Sequence, residues 1–465
     1  MTAFGLADPG AFAGRTLTFI NRCRRRGLMT GEGTSGFSTD ARATEAALNL
    51  GLQPLAQEKA SPLRAAVPRI AVYAGDAIGY PYWGYYAHAL LSIGLGFRPI
   101  LAADIIKGAL ADYDLLVMPG GFATWGLDRA EGTEGIDAAI AEFVRNGGAF
   151  IGSCGGAFYA SAGRPGWLGA IDAMPKFTQE YLLTGAAVLG ISVNGPVIGR
   201  GLPETIEIPY YHGPVYSSSE RSAETLGHFR NFISESRLFI DNPLPASFFD
   251  REMKGTPAVM MSAFGKGKVL VFSPHPEMGE FVRKGIALEG YVRRFAEIRG
   301  FRVMDETLRF FMKEDCAGFR LIHNAIACLG LFEQKDGPEP APFEPEPALD
   351  MIDTLQAVDD ALASRFGKLI ELSADESTIM QRLIETELER LQAEWTEVRE
   401  TFRRTCAECS IDRDVKTGLS TALQAAAAQP APTRLADLLV ASELPVRLTA
   451  AALRTVNTDR ALETI

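Results

Sequence analysis

Apolar and polar positions along this chain change period twice. From Arg69 short apolar runs alternate with helical patterns: Arg69–Gly75 reads as a strand ending in glycine, and Tyr85–Gly96 follows as an amphipathic helix. Arg98–Ala102 is the next strand, Ala103–Asp112 a helix, and Asp114–Gly121 a buried strand. Ile136–Asn146 is then a helix and Gly148–Gly152 a strand. Strands alternating with helices at this spacing predict right-handed βαβ units and a parallel sheet covered on both faces. Between Gly163 and Gly255 the periodicity loosens among Pro, Gly, Ser and aromatic residues, which reads as an insertion of loops and short strands. Strand patterns return at Ala258–Phe264 and Lys268–Phe272, joined by a Gly265-Lys-Gly267 turn, and a long helix over Glu280–Gly300 closes the unit. Helical pattern continues from about Asp305 to Leu331.

The second change comes after Glu333–Pro347, whose five prolines and scarcity of apolar residues describe an extended linker. Beyond it the chain is helical. Ser373-x-x-Glu376 reads as a capping box, and Ile384, Leu388, Leu391, Trp395, Val398 and Phe402 recur at steps of four and three. That spacing lays one apolar seam along a helix of about 35 residues, to be buried in a small bundle or a dimerising coiled coil. Ala422–Ala428 and Leu435–Leu453 add further helices. The expected organisation is therefore an N-terminal extension over 1–66, an α/β domain over 67–300, a helical extension over 301–332, a linker over 333–349 and a helical domain over 350–465.

Composition narrows the classes. With 465 residues, 47% hydrophobic and 22% charged, the chain reads as a soluble globular protein of two or three domains. A net charge of −11 argues against a nucleic-acid partner, which requires clustered Lys and Arg. The local exception, Arg22 with Arg24, Arg25 and Arg26, reads as a solvated surface. No apolar run reaches the ~18 residues of a membrane span, and no signal-peptide pattern is seen, so a cytoplasmic protein is expected. The six cysteines are scattered without a disulfide framework, and Cys406-Ala-Glu-Cys409 stands without a second pair, so neither metal nor cofactor is expected.

The chemistry centres on Gly152-Ser-Cys154-Gly-Gly156. A buried run ends in Gly152, one cysteine occupies the turn, and Gly155-Gly156 open a helix, which is the pattern of a nucleophile elbow. The helix start aims N–H groups and partial positive charge at the sulfur, favouring the thiolate. Ser273-Pro-His275-Pro-Glu277 leaves the end of a later strand, and Gly120-Gly121 end an earlier one. In open α/β sheets chemistry gathers at the carboxyl ends of strands. Cys154 is then the nucleophile, His275 its base and later the acid, and Glu277 the group that orients His275. The N–H groups of Gly155 and Gly121 would form an oxyanion hole. His212, between aromatic residues in Pro209–Tyr216, either lines the pocket mouth or is an ordinary loop histidine. Ser153 reads as a turn hydrogen-bonder, and His88, His323 and His228 read as structural.

Pro119-Gly-Gly121, Gly152–Gly156 and His275-Pro-Glu277, in that order, resemble the class I glutamine amidotransferase-like superfamily. Within it, Tyr210–Tyr216 and the Gly152–Tyr159 elbow look most like the domain called biotin-protein ligase N-terminal. The resemblance covers about residues 68–300. It implies a flavodoxin-like α/β sandwich, a Cys-His-Glu triad and amide hydrolysis through a thioester; Gly120, Phe158, His212 and Tyr211 are the candidate substrate-binding positions. Glutaminases of the superfamily often carry Gln where this chain has Phe158, and nothing after Gly300 looks like an ATP-grasp or P-loop unit. The adenylate-forming motif of a biotin ligase is also missing. Three readings follow. The first is a cysteine-dependent hydrolase of a small amide, its C-terminal helices serving self-association or partner docking. The second is a non-catalytic ligand-binding module of the same fold. The third is a glutaminase subunit with its synthetase on a separate chain.

Overall fold

The structure, a computed structural model, describes residues 2–5, 14–33, 36–54, 66–121, 127, 134–176, 184–217, 223–311, 317–333 and 343–463. Strands β1 (Thr2–Gly5), β2 (Thr30–Glu32) and β3 (Gly36–Thr39) form a small antiparallel sheet with β3 in the centre. Between β1 and β2 runs a helix, Gly14–Arg25, that is buried along nearly its whole length.

The nine-stranded sheet holds β4 (Ile70–Tyr73), β5 (Arg98–Ile100), β6 (Leu115–Met118), β7 (Ala149–Ser153), β8 (Ala186–Val193), β9 (Thr205–Tyr211), β10 (Glu224–Glu235), β11 (Pro257–Phe264) and β12 (Gly267–Phe272), in the order β5-β4-β6-β7-β12-β11-β10-β8-β9. Its first five strands pair in parallel. Their sequence, second-first-third-fourth-fifth, is the flavodoxin-like order, which reverses between β4 and β6 and opens a crevice above the strand ends. β4, β6 and β7 are buried throughout, the burial that parallel strands covered on both faces require.

The parallel sheet expected from the alternating pattern is thus only the first half of a mixed sheet. β11 turns back antiparallel on β12, and β10, β8 and β9 continue antiparallel outward. β8, β9 and β10 fall within Gly163–Gly255, read as loops and short strands; β10 is instead twelve residues long, with two register shifts against β8. Glycines and prolines break up the remaining pattern.

The closing helix runs Glu280–Ala287, through a π-helical turn Leu288–Val292, to Arg293–Arg299, ending at Gly300 with φ 81°. Phe301–Phe310 and Ala317–Cys328 are helical. Helices Met351–Ser373, Thr378–Glu408, Arg413–Ala428 and Leu435–Leu462 pack on one another. The apolar seam is buried at Ile384, Leu388, Leu391, Trp395 and Phe402, and Val398 is half-buried. Its partners lie within the same chain.

This bundle rests on the α/β unit. Leu435–Leu462 packs along the buried helix Tyr82–Ser92, and buried Lys284 reaches Glu387 at 3.0 Å and also pairs with Glu443.

Three expectations change in detail. The C-terminal region is not purely helical, because β13 (Pro345–Pro347) pairs with β14 (Ser410–Asp412). Its prolines are tolerated there, both strands being edges; residues 334–342 of the linker lie outside the described residues. Ser373 ends one helix, its Oγ donating back to Ile370 O at 2.8 Å, so the cap of the next helix is Ser377, which accepts from Met380 N. The Arg22–Arg26 run is not solvated surface. Arg22 meets Asp412 at 2.7 Å and Asp459 at 2.8 Å, and Arg25 meets Asp412 at 2.9 Å, all buried. The carboxylates that allow this lie almost 400 residues away or more, beyond any local pattern.

Candidate active site

β7 delivers Cys154 onto the turn before the short helix Gly155–Ala160. Its backbone is held at φ 50°, ψ −107°, a region that costs about 1–3 kcal/mol for a residue with a Cβ. Phe272 O fixes the turn by accepting from Cys154 N at 2.9 Å. Glycine at 155 is required by close approach: a Cβ there would lie 2.2 Å from Gly121 O. The β6 turn, with Gly121 at φ 110°, therefore lies directly against the start of the elbow helix.

Ser273-Pro-His275 leaves β12 beside β7, and His275 N donates to Pro209 O at 2.9 Å. His275 Nδ1 and Glu277 Oε1 are 2.7 Å apart, both side chains buried. Gly120 joins the halves: a Cβ built there would lie 2.6 Å from His275 Cε1 and 3.4 Å from Cys154 Cβ. The structure thus brings Cys154, His275, Glu277, Gly120, Gly121 and Gly155 together at the carboxyl ends of three neighbouring parallel strands.

Burial opposes a charge on His275, but Glu277 and then the nearby Cys154 sulfur outweigh it and carry the imidazole from 6.5 to about 10. His275 Nε2 and Glu277 Oε2 are buried without a hydrogen-bond partner among the described residues. The Cys154 thiol donates instead to Tyr211 O at 2.9 Å.

Tyr211 contributes through its ring as well, edge-on to His275 at 5.8 Å and tilted against Phe239 at 5.8 Å. His212 has φ 52°, and its Nδ1 accepts from Gly185 N at 3.0 Å, which leaves the proton on Nε2. Burial and the charge of His275 both lower its pKa. Phe158 is turned to packing: its N–H donates to Cys154 O at 2.9 Å and its buried ring lies 5.7 Å from Trp167. Ser153 Oγ hydrogen-bonds Tyr86 OH. His88 is buried edge-on to Phe281 and Phe319.

Two residues with no sequence signal complete the surroundings. Phe239 has φ 67°, and its N–H donates to Asp437 Oδ1 at 2.9 Å, so the C-terminal region holds one wall of the site. Among the described residues three non-glycine positions have positive φ, namely Cys154, His212 and Phe239, and all three surround this site. Strain of this kind collects at functional sites. Among the described residues no group of three or more His, Cys, Asp or Glu is arranged to hold a metal ion, and no helix is long and apolar enough to cross a membrane.

The flavodoxin-like half-sheet with a cysteine elbow and a His-x-Glu turn is the class that the fold and site define. Residues 110–164, which carry the Gly120-Gly121 turn and the elbow, match the family model described as biotin-protein ligase, N terminal. Among solved structures, a glutamine amidotransferase from Thermotoga maritima is 13% identical, covering 56% of this chain and 97% of that one, with TM-score 0.34. Another glutamine amidotransferase is 19% identical, covering 49% of this chain and 99% of that one, with TM-score 0.31. A cytoplasmic protein from Salmonella typhimurium is 12% identical, covering 44% and 86%, with TM-score 0.29. Likenesses this distant do not extend to activity. No curated protein matches the chain.

Proposed function

We propose that the protein is a cysteine-dependent hydrolase of a small amide, working through a Cys154-His275-Glu277 triad. The observation that carries the reading is the meeting of a strained cysteine elbow with a buried His275–Glu277 pair over Gly120. In this reading Cys154 reacts as the thiolate, its proton having passed to His275, and its sulfur attacks the amide carbonyl carbon while Gly155 and Gly121 N–H groups receive the developing oxyanion. The C–N bond breaks, His275 gives its proton to the leaving amine, and a thioester remains. Water, deprotonated by His275, attacks the thioester and releases a carboxylic acid and the free thiol. Phe158 in place of glutamine, packed on Trp167, favours an amide other than glutamine.

The reading is tested by ammonia or amine release from a panel of small amides with wild type and Cys154→Ala, with acid quenching to trap a thioester on the Cys154 peptide. Release that survives Cys154→Ala would overturn it. The rival, a ligand-binding module without turnover, draws support from the thiol's bond to Tyr211 O in place of His275. That reading requires ligand binding indifferent to Cys154→Ala. Self-association or partner docking through 350–465 would use faces other than the buried seam. Light scattering on the full chain that shows a monomer would count against self-association.

A further inference from the structure

Away from Cys154, three guanidinium groups converge on one carboxylate. Glu32, at the end of β2, accepts from Arg24 Nη2 at 2.9 Å and from Arg200 Nη1 at 3.2 Å. Arg320, on the helix Ala317–Cys328, adds a third cation to the same group, its Nε donating to Arg200 O at 3.2 Å. His323, one turn further on, places Nε2 3.5 Å from Glu32 Oε1. Arg24 and Arg320 are 5% and 4% exposed and His323 is fully buried.

The charges do not balance. Three arginines against one glutamate leave a formal excess of two positive charges, and among the described residues Glu32 is the one carboxylate that acts on Arg24 and Arg320. Burial keeps His323 neutral, lowering it to about 3 despite Glu32, so it adds no further charge. An unpaired charge out of water is costly, and arginine does not shed its proton to escape. Two buried nitrogens in this cluster, Arg320 Nη2 and His323 Nδ1, have no hydrogen-bond partner among the described residues. Arg24, by contrast, is saturated: Nε on Thr30 at 3.1 Å, Nη1 on Asn21 at 3.2 Å, and its plane 4.5 Å over the Phe332 ring. Arg320 Nη2 is thus a buried donor without an acceptor among the described residues, beside a buried His323 nitrogen that is also unpartnered there.

We propose that this cluster binds a small divalent oxyanion of the phosphate type, held by Arg320 with Arg200 and Arg24 balancing its charge and Glu32 as a built-in competitor. Oxyanions suit planar guanidinium donors, and two negative charges match the excess. The site is separate from the Cys154 pocket, although the helix that carries Arg320 starts against the histidine turn: a Cβ on Gly318 would lie 2.3 Å from Pro276 O.

Calorimetric titration of the full chain with inorganic phosphate, against chloride at matched ionic strength, tests this. The expected result is saturable binding of one phosphate, displaced by sulfate and not by acetate. R320Q weakens it by about ten-fold or more, the effect of losing one charge-assisted contact. E32Q removes the competing carboxylate and tightens it. E32Q keeps the native shape at 32, so it carries the test if R320Q fails to fold. A phosphate-dependent shift of the His323 imidazole NMR signal is the second readout. No saturable heat, or an affinity that E32Q leaves unchanged or weakens, would overturn the proposal.

Discussion

Replacing Glu277 by Gln removes one charge from a buried pair and keeps its shape. In the folded protein His275 is carried from 6.5 to about 10, the Glu277 charge being the largest favourable contribution against burial. At about 1.4 kcal/mol per pH unit, that gap corresponds to about 5 kcal/mol favouring the imidazolium. Because the folded value lies above the unfolded one, this stability is complete below pH 6.5 and is lost as pH rises through about 10. In E277Q burial is opposed by Cys154 alone, and the imidazole falls by more than one pH unit. The chain has five histidines, so His275 can be followed by NMR titration and assigned with His275→Ala. The expected record is an imidazolium at pH 7 in wild type and a titration lowered by more than one pH unit in E277Q. The alkaline loss of stability between 6.5 and about 10 should flatten in the variant. A wild-type His275 that titrates at or below 6.5, or one that E277Q moves by less than one pH unit, would refute the reasoning.

Other consequences are equally direct. Cys154→Gly relieves φ 50° at the elbow and should raise stability by about 1 kcal/mol in denaturant unfolding while abolishing any turnover; a loss of stability would show that the turn stores no strain. Gly155→Ala sets a Cβ 2.2 Å from Gly121 O and should cost about 1–3 kcal/mol, with slower alkylation of Cys154. Arg22→Ala takes from buried Asp459 its nearest cation and leaves Asp412 to Arg25 alone, a loss of about 3–5 kcal/mol by chemical denaturation. His323, depressed to about 3, contributes stability that is present above 6.5 and lost as pH falls toward 3, so His323→Gln should flatten the acid limb of the stability profile.

The parallel half of the sheet was legible because its strands are short and mostly apolar, and because Cys154, His275 and Glu277 sit just past where such strands stop. The antiparallel half was not. β9 opens with exposed Thr205 and Glu207, β10 is exposed at Glu224 and again at several positions from Arg230 onward, and both lie among prolines and glycines that loosen the pattern. Longer-range partners were beyond local pattern altogether. Arg22 is polar on any scale, and only its meeting with Asp412 and Asp459 makes it a buried residue. Tyr211 was named for its side chain, yet its carbonyl is what holds the thiol. Asp437, almost 200 residues from Phe239, announces itself only as an acid in the first turn of a helix.

The central claim is that His275 activates Cys154, and the rate of iodoacetamide labelling at Cys154 against pH, read by peptide mass spectrometry in wild type and His275→Ala, tests it most directly. An imidazolium that activates the sulfur predicts labelling at pH 7 slower by about ten-fold or more once His275 is removed. Labelling that rises only near a free thiol's value of about 8.5, the same with and without His275, would contradict it.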